Sequence, residues 1–239
     1  MKISLARRVV AEFLGTAFLV AAVIGSGIMG ERLAVGNVAL ALLANTIATG
    51  AALLALILTF GPISGAHLNP VLTAMDALEG GLTWKQALHY VLGQLFGGLT
   101  GAVAAHWMFG LPAISLSQHV RSGPAQALSE FLATFGLICV VCGCTRLRSS
   151  ATPFAVAAYI TSAYWFTAST SFANPAVTIA RSFSDTFACI RPADVPWFVV
   201  AQFVGGLGAT LLFRWLVPNL EVRAKRVLAC DSEAAHSGN

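Results

Sequence analysis

The chain has 239 residues, of which 57% are hydrophobic and only 10% are charged. A soluble domain usually carries about 25% charged residues, and one water-soluble core of this size could not bury so much apolar surface. The composition therefore argues against a soluble enzyme, a disordered protein and a disulfide scaffold, and it predicts an integral membrane protein with several spans. The net charge of +4 comes from basic residues near the ends of apolar runs, which indicates membrane orientation rather than nucleic-acid binding.

Six apolar runs are predicted to cross the membrane as helices, each needing roughly 20 residues. They cover residues 9–29, 34–60, 84–109, 127–144, 154–168 and 195–216. The first run contains Glu12 and is followed by no strong cleavage site, so we expect a retained span rather than a signal peptide. Two further apolar pieces, 68–78 and the one that opens at Asn174, are too short to cross. The polar segment 218–239 is predicted to be an exposed tail.

The sequence contains an internal repeat made of three blocks. AEFLGTAFLV matches SEFLATFGLI, HLNPVLT matches FANPAVT, and QLFGGLTG matches QFVGGLGA, in the same order. The two copies of each block are separated by similar numbers of residues along the chain, as the pairs Glu12 and Glu130, Asn69 and Asn174, and Gln94 and Gln202 show. Each copy holds three spans, so the second copy must be inserted upside down. The repeats are predicted at about 9–109 and 127–217, within one transmembrane domain, 1–217.

The distribution of basic residues predicts the orientation of the chain. If both termini are inside, ten Lys and Arg residues lie on the inner side and four on the outer side. Positive charge is retained preferentially on the cytoplasmic side of a membrane. We therefore expect both termini, including the 218–239 tail, to be cytoplasmic.

An Asn-Pro pair opens each short piece. A piece of ten helical residues is roughly 15 Å long, about half of the ~30 Å hydrocarbon core. Proline suits the first helical turn and asparagine suits the cap, which leaves the side-chain amide free to donate into a lumen. One Asn-Pro alone could be a surface turn. Two copies in matching repeats predict two half-helices that meet near the midplane, where their positive dipole ends would repel cations.

The paired motifs SGAHLNPV and SFANPAV, with Glu12, Glu130, Gln94 and Gln202, resemble the aquaporin and aquaglyceroporin family over nearly all of residues 9–216. The resemblance implies an all-α membrane protein with six transmembrane helices, two re-entrant half-helices and an inverted-topology repeat. It also implies one pore per subunit, a homotetramer, and passive conduction of water or small neutral solutes. We expect no cofactor, metal or catalytic residue. The pore motifs correspond to Asn69, Pro70, Val71, Asn174, Pro175 and Ala176, and valine replaces the usual alanine in the first.

Ionisable residues within the predicted spans have two interpretations each. Glu12 and Glu130 are either proton relays of a coupled transporter or structural acceptors for the backbone of the half-helix loops. Their symmetric placement favours the structural role, and the resemblance implies it. His67 resembles the family histidine that lines the inner vestibule, and a packed loop histidine is the alternative. Three cysteines of the fourth span could bind a soft metal, but their apolar surroundings favour simple packing. They are Cys139, Cys142 and Cys144.

The family's selectivity filter uses four positions, one on the second span, one on the fifth and two that flank the second Asn-Pro-Ala. By distance from the motifs, these positions fall on Thr49, Ser162, Ser171 and Val177. Most family members have arginine in place of Val177, and glycerol-type members usually have aspartate in place of Thr178. We therefore predict a wider, uncharged and weakly polar filter.

Arg181 lies four residues beyond Val177, about 6 Å further along the same helix face. It could give the outer mouth of the pore a positive charge. It could equally pair with Asp185, four residues further on.

Channels with a valine-bearing second motif resemble a bacterial subgroup linked to uncharged metalloids, such as arsenous acid and its methylated forms. We predict a passive channel for small uncharged solutes, including glycerol-sized polyols, urea, metalloid hydroxides and water. Its expected location is the plasma (inner) membrane. The alternatives are a water-selective aquaporin, a proton-coupled transporter and a closed structural membrane protein. The chain shows no nucleophile–base set and no phosphate-binding loop, which argues against an enzyme.

Overall fold

The computed structural model describes residues 3–217, so the predicted tail, 218–239, lies outside the described residues. Within 3–217 the chain forms eight α-helices and no β-strand. The helices are α1 (Leu5–Leu33), α2 (Val38–Ser64), α3 (Pro70–Leu78), α4 (Trp84–Met108), α5 (Pro124–Leu147), α6 (Thr152–Phe166), α7 (Pro175–Arg181) and α8 (Val195–Leu216). Two 3₁₀ turns, Ser149–Ala151 and Pro192–Asp194, lead into α6 and α8.

Six of these helices coincide with the predicted spans, and the short helices α3 and α7 coincide with the two half-length pieces. Four helices, α1, α2, α5 and α8, are long and apolar enough to cross a membrane. The helix α6 has only 15 residues, or about 22 Å, which is shorter than a hydrocarbon core. It ends at Phe166, because Thr167 has extended backbone.

The half-helices run in opposite directions from the centre of the bundle. We call the side where α1 begins and α8 ends the terminal side, and the opposite side the far side. The helix α3 runs to the terminal side, where Glu79, just past its end, pairs with Arg214 of α8 at 2.6 Å. The helix α7 runs to the far side, where Ser184 contacts the ring of His106, near the end of α4, at 2.8 Å. This antiparallel pair is the arrangement that an inverted repeat requires.

Glycines bring the long helices of each repeat into close contact. A Cβ on Gly97 of α4 would collide with the backbone of Phe13 on α1, and a Cβ on Gly205 of α8 would collide with the backbone of Phe131 on α5. Gly97 and Gly205 occupy equivalent positions in the repeat. Small residues permit such close crossings between membrane helices. The crossings place the glutamates of α1 and α5 beside the glutamines of α4 and α8.

Candidate pore and selectivity filter

Asparagine caps begin both half-helices at the centre of the molecule. Asn69 Oδ1 accepts a hydrogen bond from the Val71 backbone N–H at 2.9 Å, and Asn174 Oδ1 accepts from the Ala176 N–H at 3.0 Å. A proline follows each asparagine in the first helical turn, where its missing N–H leaves no helical bond unmade. The local sequence therefore begins a helix at each of the two points.

The side-chain amides of the same asparagines join the two loops. Asn69 Nδ2 donates to the carbonyl of Ala173, and Asn174 Nδ2 donates to the carbonyl of Leu68, each at 2.7 Å. The expectation that these amides are free to donate into a lumen is therefore only half right. Each amide has two N–H groups, and one is bonded to the opposite loop. The other is available on the wall of the central cavity, which both asparagines line.

Glu12 holds the loop that precedes α3. Its carboxylate accepts hydrogen bonds from the backbone N–H groups of His67 at 2.9 Å and Leu68 at 2.7 Å. It also accepts from the Ser64 hydroxyl at 2.6 Å and from the Gln94 amide at 2.8 Å. Glu12 is fully buried and is absent from the cavity wall. Both of its oxygens are occupied by neighbouring donors.

Glu130 makes the equivalent contacts for the loop that precedes α7. Its carboxylate accepts from the N–H groups of Phe172 and Ala173, each at 2.9 Å, and from the Gln202 amide at 2.6 Å. It is also fully buried behind the cavity wall. Because neither glutamate reaches the cavity, this geometry supports a structural role and gives no support to a proton relay.

Both loops contain non-glycine residues in left-handed conformations at equivalent positions. The φ angle is 46° at Ala66 and 48° at Leu68, and it is 50° at Ser171 and 48° at Ala173. Such conformations cost on the order of 1–3 kcal/mol each. They direct successive N–H groups toward one carboxylate, so the glutamate hydrogen bonds offset the strain.

An elongated cavity runs along the axis of the bundle past both asparagines. On the terminal side its wall includes His67, Glu79 and Arg146, and on the far side it includes Thr49 and Arg181. Between these ends the wall is mainly apolar. The apolar lining residues include Leu53, Ile57, Leu137, Val141, Val156 and Ile160. The mainly apolar middle of this path suits uncharged solutes, because few groups there compensate the lost hydration of an ion.

The structure places three of the four predicted filter residues on this wall. Thr49, Ser171 and Val177 are all buried and all line the cavity. The hydroxyl of Ser171 has no hydrogen-bond partner among residues 3–217. These three residues combine one apolar side chain with two hydroxyl groups.

The predicted position Ser162 is wrong. Ser162 is exposed on the outer face of α6, and its hydroxyl bonds to the carbonyl of Tyr159 at 2.7 Å. Tyr164 lines the cavity instead, and its hydroxyl donates to Thr49 Oγ1 at 3.3 Å. Spacing along the chain predicts how deep a residue of α6 lies in the membrane, but not which way it points around the helix axis. Two residues along a helix differ in direction by about 200°. The pattern of Val156, Ile160 and Tyr164, each four residues apart, is the signal that could have identified the face.

Arg181 is buried and does not pair with Asp185. Its side chain is 1% exposed and lines the cavity, and its Nε–H donates to the carbonyl of Ala188. The guanidinium carbon lies 3.4 Å from the centroid of the Phe172 ring. The carboxylate of Asp185 instead accepts from the backbone N–H of Gln118 at 3.0 Å. The proposed pairing of Arg181 with Asp185 is therefore wrong.

A second buried arginine, Arg121, stacks on the same ring, with its guanidinium carbon 5.1 Å from the Phe172 centroid. Nearby, on the loop between α4 and α5, burial lowers the pKa of His119, and the positive charges of Arg121 and Arg181 lower it further. Unlike Arg181, Arg121 is absent from the cavity wall. The far side thus carries concentrated positive charge, of which one group reaches the cavity.

His67 lies on the terminal side of the cavity. Its Nδ1 contacts Thr73 Oγ1 at 3.2 Å, its Nε2 lies 3.9 Å from Asp76 Oδ2, and its ring packs edge-on against Tyr90. It lines the cavity and packs against its loop at the same time, so the two interpretations of this residue are compatible.

The cysteine group has no metal-site geometry. Among residues 3–217 there is no cluster of three or more His, Cys, Asp or Glu side chains that could hold a metal ion. Cys142 lines the cavity, and Cys139 and Cys142 pack against the apolar cluster that surrounds Val71.

Two half-helices that meet at asparagine caps, inside a bundle of six longer helices, define a membrane channel fold. The profile of the family described as "Major intrinsic protein" matches residues 1–160 and, in an overlapping second match, residues 125–238. The chain belongs to this family. Membership indicates a transport protein rather than an enzyme.

Relatives of this chain include proteins named aquaporin and proteins named aquaglyceroporin. It is 54% identical over 213 residues to the aquaglyceroporin AqpS of Rhizobium meliloti (strain 1021), covering 89% of this chain and 91% of that protein. It is 29% identical over 224 residues to human Aquaporin-1, covering 88% and 82% of the two chains. The structure of the aquaglyceroporin from Plasmodium falciparum has a TM-score of 0.69 over 92% of this chain and 100% of that one, at 19% identity, which shows the shared fold.

Proposed function

We propose that this chain forms a passive channel for small uncharged solutes, including glycerol-sized polyols, urea, uncharged metalloid hydroxides and water. The observation that carries the proposal is the position of Val177 on the cavity wall, where most of the family has arginine. The relationship to AqpS, which is named an aquaglyceroporin, supports a solute channel over a strictly water-selective one.

The chemistry of the far-side cavity suits solutes that combine hydroxyl groups with carbon or metalloid centres. Thr49, Tyr164 and Ser171 provide hydroxyls, and Val177 provides an apolar surface beside them. Arsenous acid and its methylated forms are neutral, similar to glycerol in size, and present this mixture of hydroxyl and apolar groups. A cation would lose hydration without adequate compensation in this wall.

A coupled transporter is less consistent with the structure. The two intramembrane carboxylates that could relay protons, Glu12 and Glu130, are enclosed behind the cavity wall by their own hydrogen bonds. A passive channel should show flux that neither saturates nor depends on an ion gradient.

Stopped-flow light scattering on proteoliposomes tests the proposed function. We expect fast, non-saturating flux of glycerol, urea and arsenous acid as well as water, with no effect of an imposed pH gradient. Empty liposomes provide the control. Fast water flux without solute flux would favour a water-selective channel. Flux that requires a proton gradient would favour the coupled transporter, and absence of all flux would favour a closed structural protein.

We further propose that residues 1–217 form one channel domain in the plasma (inner) membrane, with both termini and the 218–239 tail in the cytoplasm. The apolar residues exposed on the outer helix faces support insertion into lipid, and we propose that the subunits assemble as a homotetramer. These apolar residues include Phe18, Phe96, Trp107, Phe154, Trp197 and Trp215. Single cysteines at Ser149 and Ser122, introduced in a cysteine-free variant, should react with an impermeant maleimide in inverted and right-side-out vesicles respectively. The opposite pattern would reverse the orientation, and native mass spectrometry would test the tetramer.

A further inference from the structure

We propose that Arg181 is the charged specificity residue of this channel, reaching the filter from one helical turn beyond the position where an arginine is expected. This inference rests on the proposed channel function and assigns the group that excludes cations and orients solute oxygens. The solutes it selects are small neutral molecules with hydroxyl or oxo oxygens on one side and an apolar surface on the other.

The direction of the side chain brings Arg181 back to the level of the filter. The helix α7 begins at the centre and ends at Arg181 on the far side. Helical side chains tilt toward the N-terminus of their helix, so a long side chain on the last turn covers the preceding turn. The guanidinium accordingly stacks 3.4 Å from the centroid of Phe172, the residue next to Ser171 in the filter loop.

The guanidinium retains donors for a solute. Arginine has five N–H groups, and only the Nε–H of Arg181 has a protein acceptor within 3–217, the Ala188 carbonyl. Its two terminal nitrogens make no hydrogen bond to protein within residues 3–217. They are not fully buried, and the side chain lines the cavity. A planar fork of hydrogen-bond donors therefore faces the solute path, although the side chain as a whole is only 1% exposed.

Arg181 forms no ion pair within residues 3–217. The four ion pairs within residues 3–217 involve other groups, and Asp185 and Asp194, the nearest carboxylates in sequence, bond elsewhere. A positive group in a poorly hydrated constriction repels cations strongly, because the field is weakly screened there.

The neighbours of Arg181 complete a two-sided site. Three hydroxyl groups lie on the same stretch of wall: those of Thr49 and Tyr164, and that of Ser171, which has no hydrogen-bond partner within residues 3–217. Val177 lies four residues before Arg181 on the same face of α7. A solute oxygen can accept from the guanidinium while the apolar part of the solute packs against Val177. Replacement of the filter arginine by valine thus widens the constriction and leaves its charge in place.

Arg121 is the matched control for a mutational test. It is buried and stacked on Phe172, as Arg181 is, but its Nε donates to the Cys189 carbonyl at 2.7 Å and a terminal nitrogen donates to the Ser169 carbonyl at 3.0 Å. It does not line the cavity. Changing Arg121 removes a buried guanidinium from the same ring without removing one from the solute path.

The test compares wild type, Arg181→Gln, Arg181→Lys and Arg121→Gln in proteoliposomes. Two quantities are measured: proton and methylammonium leak, with a trapped pH dye, and the ratio of glycerol to water flux. We expect Arg181→Gln to raise cation leak about tenfold or more and to change the flux ratio. Arg181→Lys should keep cations out while changing the ratio, since it retains the charge but loses the fork of donors. Arg121→Gln should match wild type in both quantities.

Outcomes that overturn the inference differ from those that overturn the channel function. Equal cation leak in Arg181→Gln and wild type, or equal increases in Arg181→Gln and Arg121→Gln, would show that Arg181 is only structural. If Arg181→Gln does not fold, an unchanged flux ratio in Arg181→Lys has the same meaning. Absence of water and solute flux in the wild type would instead overturn the proposed function.

Discussion

Replacement of Glu130 by glutamine should prevent assembly of the far-side half of the pore. The carboxylate accepts from the N–H groups of Phe172 and Ala173 and from Gln202, all in a fully buried setting. Glutamine offers one acceptor oxygen and turns an NH₂ group toward donors. Each hydrogen bond to a charged acceptor contributes about 1.5–3 kcal/mol, and a buried donor without a partner adds a comparable cost.

The strain in the loop increases this effect. Ser171 and Ala173 have positive φ angles, which persist only where surrounding contacts enforce them. Without the carboxylate, the loop should relax to ordinary backbone conformations and lose the register between Asn174 and the carbonyl of Leu68. We expect Glu130→Gln to lower the stability of the detergent-solubilised protein by several kcal/mol and to abolish solute flux in the protein that is recovered.

Thermal unfolding of purified protein, followed by circular dichroism, measures this effect, with Glu12→Gln and Glu31→Gln as comparisons. Glu12 is the repeat equivalent and should behave like Glu130, whereas Glu31 is exposed at the end of α1 and should be nearly neutral. A Glu130→Gln protein with wild-type stability and flux would show that the loop is held by its other contacts.

The sequence predicted the centre of this molecule well because the centre is encoded by short motifs. An asparagine before a proline predicts a capped helix start, and two matching copies predict two starts that meet in an inverted repeat. Glu12 and Glu130 occupy equivalent positions in the repeat blocks, so the sequence indicated that they share one structural role. It did not indicate which groups they bind. The partners themselves, backbone N–H groups of strained loops, leave no pattern in side-chain identity.

The sequence predicted the filter less well because its members come from separate helices. Ser162 was the residue at the expected distance, but Tyr164, two residues further on, is the one that faces the cavity. Arg181 was expected either in the outer mouth of the pore or beside Asp185. The pairing with Asp185 is wrong, and the direction of the side chain, which folds back over Phe172, was not predicted. Counting along a chain gives the depth of a residue, whereas helix rotation and side-chain direction depend on tertiary packing.

Replacement of Val177 by arginine should reduce the flux of glycerol-sized solutes about tenfold or more, while water flux falls much less. Val177 is 5% exposed and forms part of the cavity wall, so a longer side chain has no room except in the lumen. The new guanidinium would also lie one turn from Arg181, which has no carboxylate partner within 3–217. Two cations would then share one part of the cavity.

The variant Val177→Leu separates size from charge, because it adds volume without a cation. If size alone limits glycerol, Val177→Leu should lose a substantial part of the glycerol flux. If the added charge dominates, only Val177→Arg should lose it. Unchanged flux of glycerol, urea and arsenous acid in Val177→Arg, measured by stopped-flow light scattering, would remove Val177 from the filter.

The same substitution in an Arg181→Gln background decides how the two positions are related. If Arg181 supplies the charge that the valine-bearing filter lacks, Val177→Arg should restore cation exclusion to the leaky Arg181→Gln channel and should shift the glycerol-to-water ratio toward water. Restored exclusion would mean that residues 177 and 181 are alternative sites for one guanidinium, four residues apart on one face of α7. A double variant as leaky as Arg181→Gln alone would show that an arginine at 177 cannot replace Arg181, and the two positions would then have separate roles in selectivity.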